Sequence, residues 1–301
     1  TNSKALTLSG SNLYIEGTQD LSGVVPDSTS ILGLTGDATL NDSSALSVYS
    51  LELENFALTL DDAMAGLTVV QPVTLDAATE QIISGDADLS LSGGISVTAG
   101  TLSSSGGTLS LPSGATFVSG STFTTSDTTI HLGGSLAVAD TWTSTKTNLS
   151  LTADTTLTST NPITIKTVDM GTHILVLGSE TSDLTIADGF TINYSGENGI
   201  NTGPADLSLN GPVSVLTGGI ISSGGTVTFG AGAGATSFAD EMSGLLLKDT
   251  TLDLQTDLSV SWLELSGASS SLNTNGNTLN ISKGLDIGGG PELDFTDITT
   301  D

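Results

Sequence analysis

The sequence predicts an all-β chain wound as a parallel β-solenoid of about 11–12 coils, each of roughly 20–27 residues and built from three short strands. Three observations predict it: a ten-residue pattern recurring along most of the chain, the spacing of its copies, and a composition of strand and turn formers without helical periodicity. The pattern is apolar at its second, fourth, eighth and tenth positions, with a three-residue turn between two alternating runs. Ungapped copies begin at Thr39, Gly66, Asp88, Thr108, Thr129, Thr156, Asp183, Asp206, Thr226, Thr251 and Thr278. Of their 44 inward positions 42 are apolar, the exceptions being Asp42 and Ser159. A chain that is 37% hydrophobic would place about 16 apolar residues there by chance.

Taken in order, residues 1–38 form an irregular N-terminal coil region in which ALTLSGSNLYI, from Ala5, is a looser copy with one extra turn residue. Residues 39–287 hold the regular coils. In each copy the x-apolar-x-apolar runs are strands with one face buried, since successive side chains point to opposite sides. Turn formers separate the runs: Gly93 with Gly94, Pro112 with Gly114, Gly133 with Gly134, Asp188 with Gly189, and Gly211 with Pro212. A third apolar element precedes many copies, as at Ile82 and Ile83, Leu102, Phe123, Leu175 with Leu177, Ile220 and Ile221, or Leu246 and Leu247, and supplies a third wall. Only Leu51–Leu67 invites a helical reading; it is expected to be strand and loop with a short helical turn at Asp61–Gly66. GAGAGATSF, from Gly230, is expected to be a bulged turn, and residues 288–301 a C-terminal tail. One elongated domain over 1–301 is expected, because a single coil cannot bury its own apolar faces and stacked coils can. The longest internal match joins Ala87–Leu111 to Ala205–Phe229 without gaps.

Composition limits function. The 33 acidic residues face five Lys and no Arg, for a net charge of −28. Five scattered Lys cannot neutralise a phosphate backbone, and an anionic membrane surface is an equally poor partner. With no Cys, thiolate metal sites, disulfides and cysteine nucleophiles are absent. No apolar run is long enough to cross a bilayer as a helix, and TNSKALTLSG lacks the features of a signal peptide.

The strings SGGTLSL, NGNTLNISKGLDIGGG and ADLSLSGGISVTAG resemble the repeats of bacterial surface and secreted β-solenoid proteins, the class of filamentous-haemagglutinin-like proteins and autotransporter-adhesin passenger domains. The resemblance implies a right-handed parallel β-helix outside the cell or on its surface, acting in adhesion, fibres or biofilm matrix. The expected partner is the chain itself, head to tail through solenoid ends, or further repeats of a larger surface protein, with glycans as further partners. The alternative is a polysaccharide-binding or polysaccharide-degrading β-helix protein, of the phage-tailspike or carbohydrate-active type.

Catalytic constellations are sought among the acids and the two His. The carboxylate pairs Asp61 and Asp62, Asp183 and Asp188, and Asp253 and Asp257 have the residue type for glycoside cleavage, but lack neighbouring His, Arg and aromatic residues to orient a sugar. They are read as turn acids, and the protein as non-enzymatic. His131 belongs to an outward Ser/Thr/Asn/Asp column, and His173 to a loop. Trp142, Trp262, Tyr14, Tyr49 and Tyr194 do not recur at one coil position, so no sugar-stacking groove is indicated. Two residues before copies stand Asp37, Asp86, Asp127, Asp154 and Asp249. Stacked on adjacent coils they would repel, and a bridging calcium ion is the candidate remedy. Each is equally suited to capping a turn. No cofactor other than this calcium is expected.

Overall fold

The computed structural model describes residues 6–8, 10–21, 24–26, 29–181, 183–193, 199–233, 237–238 and 244–288. It is a parallel β-solenoid of about twelve turns, with 62% of its residues in strands and 1% in helix. The chain divides into two compact units, Thr1–Thr147 and Asn148–Asp301.

In the first unit, one wall stacks the strands Asn12–Gln19, Ile31–Leu40, Ala57–Leu60, Gln81–Ile83, Thr101–Ser104 and Thr122–Thr125, all parallel. A second stacks Ala45–Val48, Gly66–Val69, Asp88–Leu91, Thr108–Leu111 and the first half of Thr129–Val138. A third stacks Val73–Leu75, Ile95–Val97, Ala115–Phe117 and the second half of that same strand. The second unit repeats the scheme, with Leu175, Ile200, Ile220, Leu245, Leu263 and Leu285 in one inward column. Coil length varies with the corners: the turn that lays Trp262 on Gly244 is shorter than the one that lays Thr251 on Thr226.

Inward positions behave as the pattern requires. Every described one in the first ten copies is buried, so Leu, Ile, Val and Phe form continuous columns; burying each such side chain contributes roughly 1.5–3 kcal/mol. The two exceptions are buried as well. Asp42, 3% exposed, is satisfied by the Ser44 N–H at 2.8 Å. Ser159, 2% exposed, donates to the Asn161 carbonyl at 2.8 Å and accepts the Asn161 N–H at 3.1 Å. Short side chains that bond their own turn can thus occupy core positions without orphaned polar groups.

The structure corrects the stacking order. The closely spaced copies within Gly66–Val138 stack first run on first run. The widely spaced ones do not: from Thr39 to Gly66, from Thr156 to Asp183 and from Thr251 to Thr278, the first run of the later copy lies on the second run of the earlier one. Ala45 thus pairs with Gly66, Ile163 with Leu184, and Leu258 with Leu279. The coil length is therefore kept, and the surplus residues move the repeat on by one wall. Other details also differ. Thr129–Val138 and Asp183–Asn193 each run as one bent strand through the expected turns, because both halves find partners. Asp61–Gly66 makes a tight turn, closed by Met64 N–H to Asp61 O at 2.8 Å, and no helix. Of the paired third-wall residues, Ile82, Ile220 and Leu247 point inward while Ile83, Ile221 and Leu246 are half-exposed. Ala231–Ala233 is a single 3-10 turn; the rest of that Gly-rich segment to 236, the copy start at Ala5, and 289–301 lie outside the described residues.

The long internal match holds at side-chain level. Buried Thr128 donates to Ser104 Oγ at 3.0 Å, and Ser104 to the Gly106 carbonyl at 3.0 Å. Buried Thr250 and Ser222 repeat this at 3.0 and 2.6 Å on the Gly224 carbonyl. Each Thr stands beyond the end of its matched segment and follows an Asp in the left-handed region, Asp127 at φ 54° and Asp249 at φ 51°, so the D-T-T phrase is a corner whose first Thr turns inward.

One corner demands glycine. Gly94, Gly114 and Gly134 have φ of 85°, 88° and 72°, and a Cβ on Gly114 would overlap the Ser135 carbonyl oxygen of the next coil. Gly120, at φ 87°, has open space instead. Gly120→Ala is therefore expected to cost about 1–2 kcal/mol from backbone conformation alone, and Gly114→Ala roughly 1–3 kcal/mol more from overpacking. Urea midpoints of the two variants measure the difference.

Candidate functional site

The acidic side chains are the first candidates, and the geometry gives many of them a bond between coils. Asp37 Oδ1 accepts the Ala57 N–H at 3.0 Å, Asp88 that of Thr108 at 2.8 Å, Asp154 that of Ile174 at 3.0 Å, and Asp206 that of Thr226 at 2.6 Å. Asp249 and Asp257 do the same for Ser269 at 3.2 Å and Thr278 at 2.7 Å. These donors stand at or just before strand starts, where a main-chain N–H needs an acceptor. Asp62 accepts the Asp86 N–H at 3.3 Å, and Asp61 closes its own turn on Ala63 at 2.9 Å. Asp253 accepts from the Asn275 side-chain amide at 2.9 Å.

The five acids singled out for calcium do not form one column. The Asp86 carboxylate folds over Gly106 of the next coil, so Asp127 stands one coil further on. Asp127 pairs with Lys146 at 3.1 Å, both side chains well exposed, a pairing worth little. Asp37 faces Ala57, Asp154 faces Ile174 with His173 Nδ1 at 3.8 Å, and Asp249 lies over Gly267. Among the described residues no three of His, Asp or Glu converge on a point that could hold a metal ion. The outward polar column is likewise broken where the repeat steps on by a wall: Thr68, Ser90, Ser110 and His131 are laterally paired, and Thr185, Ser208, Thr228 and Asp253 form a second set.

Sequence reasoning missed Glu80. It is 7% exposed and accepts three main-chain N–H groups: Asp76 at 2.7 Å and Ala77 at 3.2 Å in its own turn, and Asn55 at 3.3 Å from the preceding coil. The short TLDAATE loop hides the signal, since the acid reaches back along its own turn and also across one coil.

It also missed an aromatic corner. The Phe123 ring stacks on Phe117 with centroids 4.3 Å apart and lies 5.1 Å from Trp142. Trp142 is 2% exposed, and its Nε1 donates to Thr125 Oγ1 at 3.0 Å; Thr147 also donates to that oxygen, at 2.8 Å, and Ser144 donates to the Thr125 carbonyl at 2.7 Å. Beside this fixed cluster is a depression of about 270 Å³. Phe117, Ser121 and Val138 form its floor and half-exposed Phe123 its wall. Asp140, Thr122, Thr124 and Thr141 form the rim. Asp140 is held in place, accepting the Gly120 N–H at 2.8 Å and the Ser119 hydroxyl at 3.4 Å. The exposed aromatics Tyr14 and Trp262 have a different setting, lying over Gly33 and Gly284, where a Cβ would meet their rings; each covers a glycine on the neighbouring strand.

Removing the Glu80 carboxylate takes the acceptor from three part-buried main-chain donors. Glu80→Ala is expected to lose roughly 1–2 kcal/mol of stability and Glu80→Gln about half of that, read from urea midpoints. A melting temperature that rises in calcium relative to chelator would support calcium at these acids; with Asp37, Asp154 and Asp249 bonded to main-chain N–H groups, equal values are expected. The chain matches no protein-family model, no curated protein and no solved structure.

Proposed function

We propose that this chain is a non-enzymatic structural protein of the cell surface or extracellular space, a fibre-forming subunit or adhesin stalk whose copies add head to tail through solenoid ends. One observation carries the reading. In the strand Leu279–Gly288, Leu285 and Ile287 hold inward register opposite Leu263 and Leu265, yet are 45% and 38% exposed where their partners are 1% and 0%. A parallel strand laid on this edge, from a second copy or from further repeats of a larger surface protein, would continue the main-chain ladder and cover both side chains, which is strand addition.

The charge distribution favours the same geometry. Acids on the exterior oppose sideways pairing of strand-rich particles, whereas the Leu285 and Ile287 surface is apolar. The employment of the carboxylates as inter-coil acceptors supports a structural over a catalytic role. The extracellular placement rests on the repeat strings quoted above.

Electron microscopy of the purified chain tests the proposal. Long uniform filaments are expected, with raised salt promoting lateral bundles as the acidic repulsion is screened. Replacing Leu285 and Ile287 together by Asp should abolish filaments while the far-ultraviolet β signal stays. Isolated particles at high concentration would refute end-to-end assembly.

A further inference from the structure

We propose that the depression beside Phe123 binds one pyranose ring of a neutral glycan, a recognition function distinct from end-to-end assembly and not dependent on it. The argument starts from the chemistry of the walls. Phe123 offers an apolar surface to the C–H face of a sugar, and its contacts with Phe117 and Trp142 fix the ring before a ligand arrives, which lowers the ordering cost of binding.

The polar groups that line the same depression suit hydroxyls. Each Asp140 oxygen accepts one bond from the 119–120 turn, and a carboxylate oxygen has capacity for a further donor. Ser121 donates its own proton to the Val118 carbonyl at 2.6 Å, so its oxygen can accept from a sugar O–H. The rim threonines can both donate and accept. A uronate or phosphate would meet the Asp140 charge within a chain of net charge −28, so the ligand is uncharged. A simple cation would use the carboxylate and leave the hydroxyl rim unemployed. Size narrows the choice further: about 270 Å³ falls just below the ~300–1,000 Å³ of ordinary small-molecule sites, room for a single ring.

Saturation-transfer NMR on the full chain tests this, with the methyl glycosides of glucose, galactose and N-acetylglucosamine as probes and glucuronate and putrescine as charged comparators. At least one neutral glycoside should bind, with a Kd on the order of 1 mM, and Phe123→Ala should weaken it at least about tenfold. Because Phe123→Ala removes a packed ring and can unfold the corner, Thr141→Arg serves as the second variant: an exposed rim position where a long side chain fills the depression. It should abolish binding with an unchanged melting temperature. The proposal is overturned by silence from all three neutral probes, by binding that survives Thr141→Arg, or by signals from glucuronate or putrescine alone.

Discussion

The main-chain ladder between successive coils is the constraint on which the rest of this structure depends. A parallel ladder fixes which residue lies on which, and once the coil returns to its starting wall every side chain is assigned a column. The apolar columns are a consequence of that return. So is the tolerance for turns of different length, because extra residues can bulge at a corner as long as the next strand begins in register.

Corners are where such a fold is most exposed to failure, since each strand start presents an N–H with no strand partner. Small polar residues satisfy the main-chain groups of the corners in two ways. Buried Ser residues donate to carbonyls of their own corner, as Ser104 and Ser222 do to Gly106 and Gly224. Exposed Asp residues reach to the adjacent coil, as Asp88 and Asp206 do. The strong negative charge is thus partly a by-product of stitching: carboxylates give charge-assisted bonds to main-chain N–H groups and also keep the exterior of a strand-rich chain from pairing sideways.

The fold is legible because period-two alternation survives in a single sequence; the Leu89, Leu109 and Ile130 column is visible in the repeat itself. Spacing alone does not tell a long coil from a coil plus a step, so the wider intervals read as stacked copies in the sequence. Only the pairing of Ala45 with Gly66 and of Leu258 with Leu279 reveals the step. The site is far less legible. Glu80 acts on Asn55 across a whole coil, Phe117 meets Phe123 across a corner, and Trp142 joins them from about one coil further on. Neither arrangement has a period, so neither leaves a pattern. The five Asp residues do have a pattern, but it marks a turn-forming phrase, and the partners of Asp37, Asp154 and Asp249 are main-chain N–H groups.

The surplus residues at the wider intervals make the repeat an indexing device. Two sequence-identical repeats separated by such an interval would present the same outward side chains on different walls, about a third of a revolution apart, while the core between them stays continuous. Point substitution would need many coordinated changes to move a surface feature round the stack; one insertion or deletion of the right length at a corner does it in a single event. Recognition chemistry and core packing can therefore diverge independently in a chain of this kind, one by indels and the other by substitution.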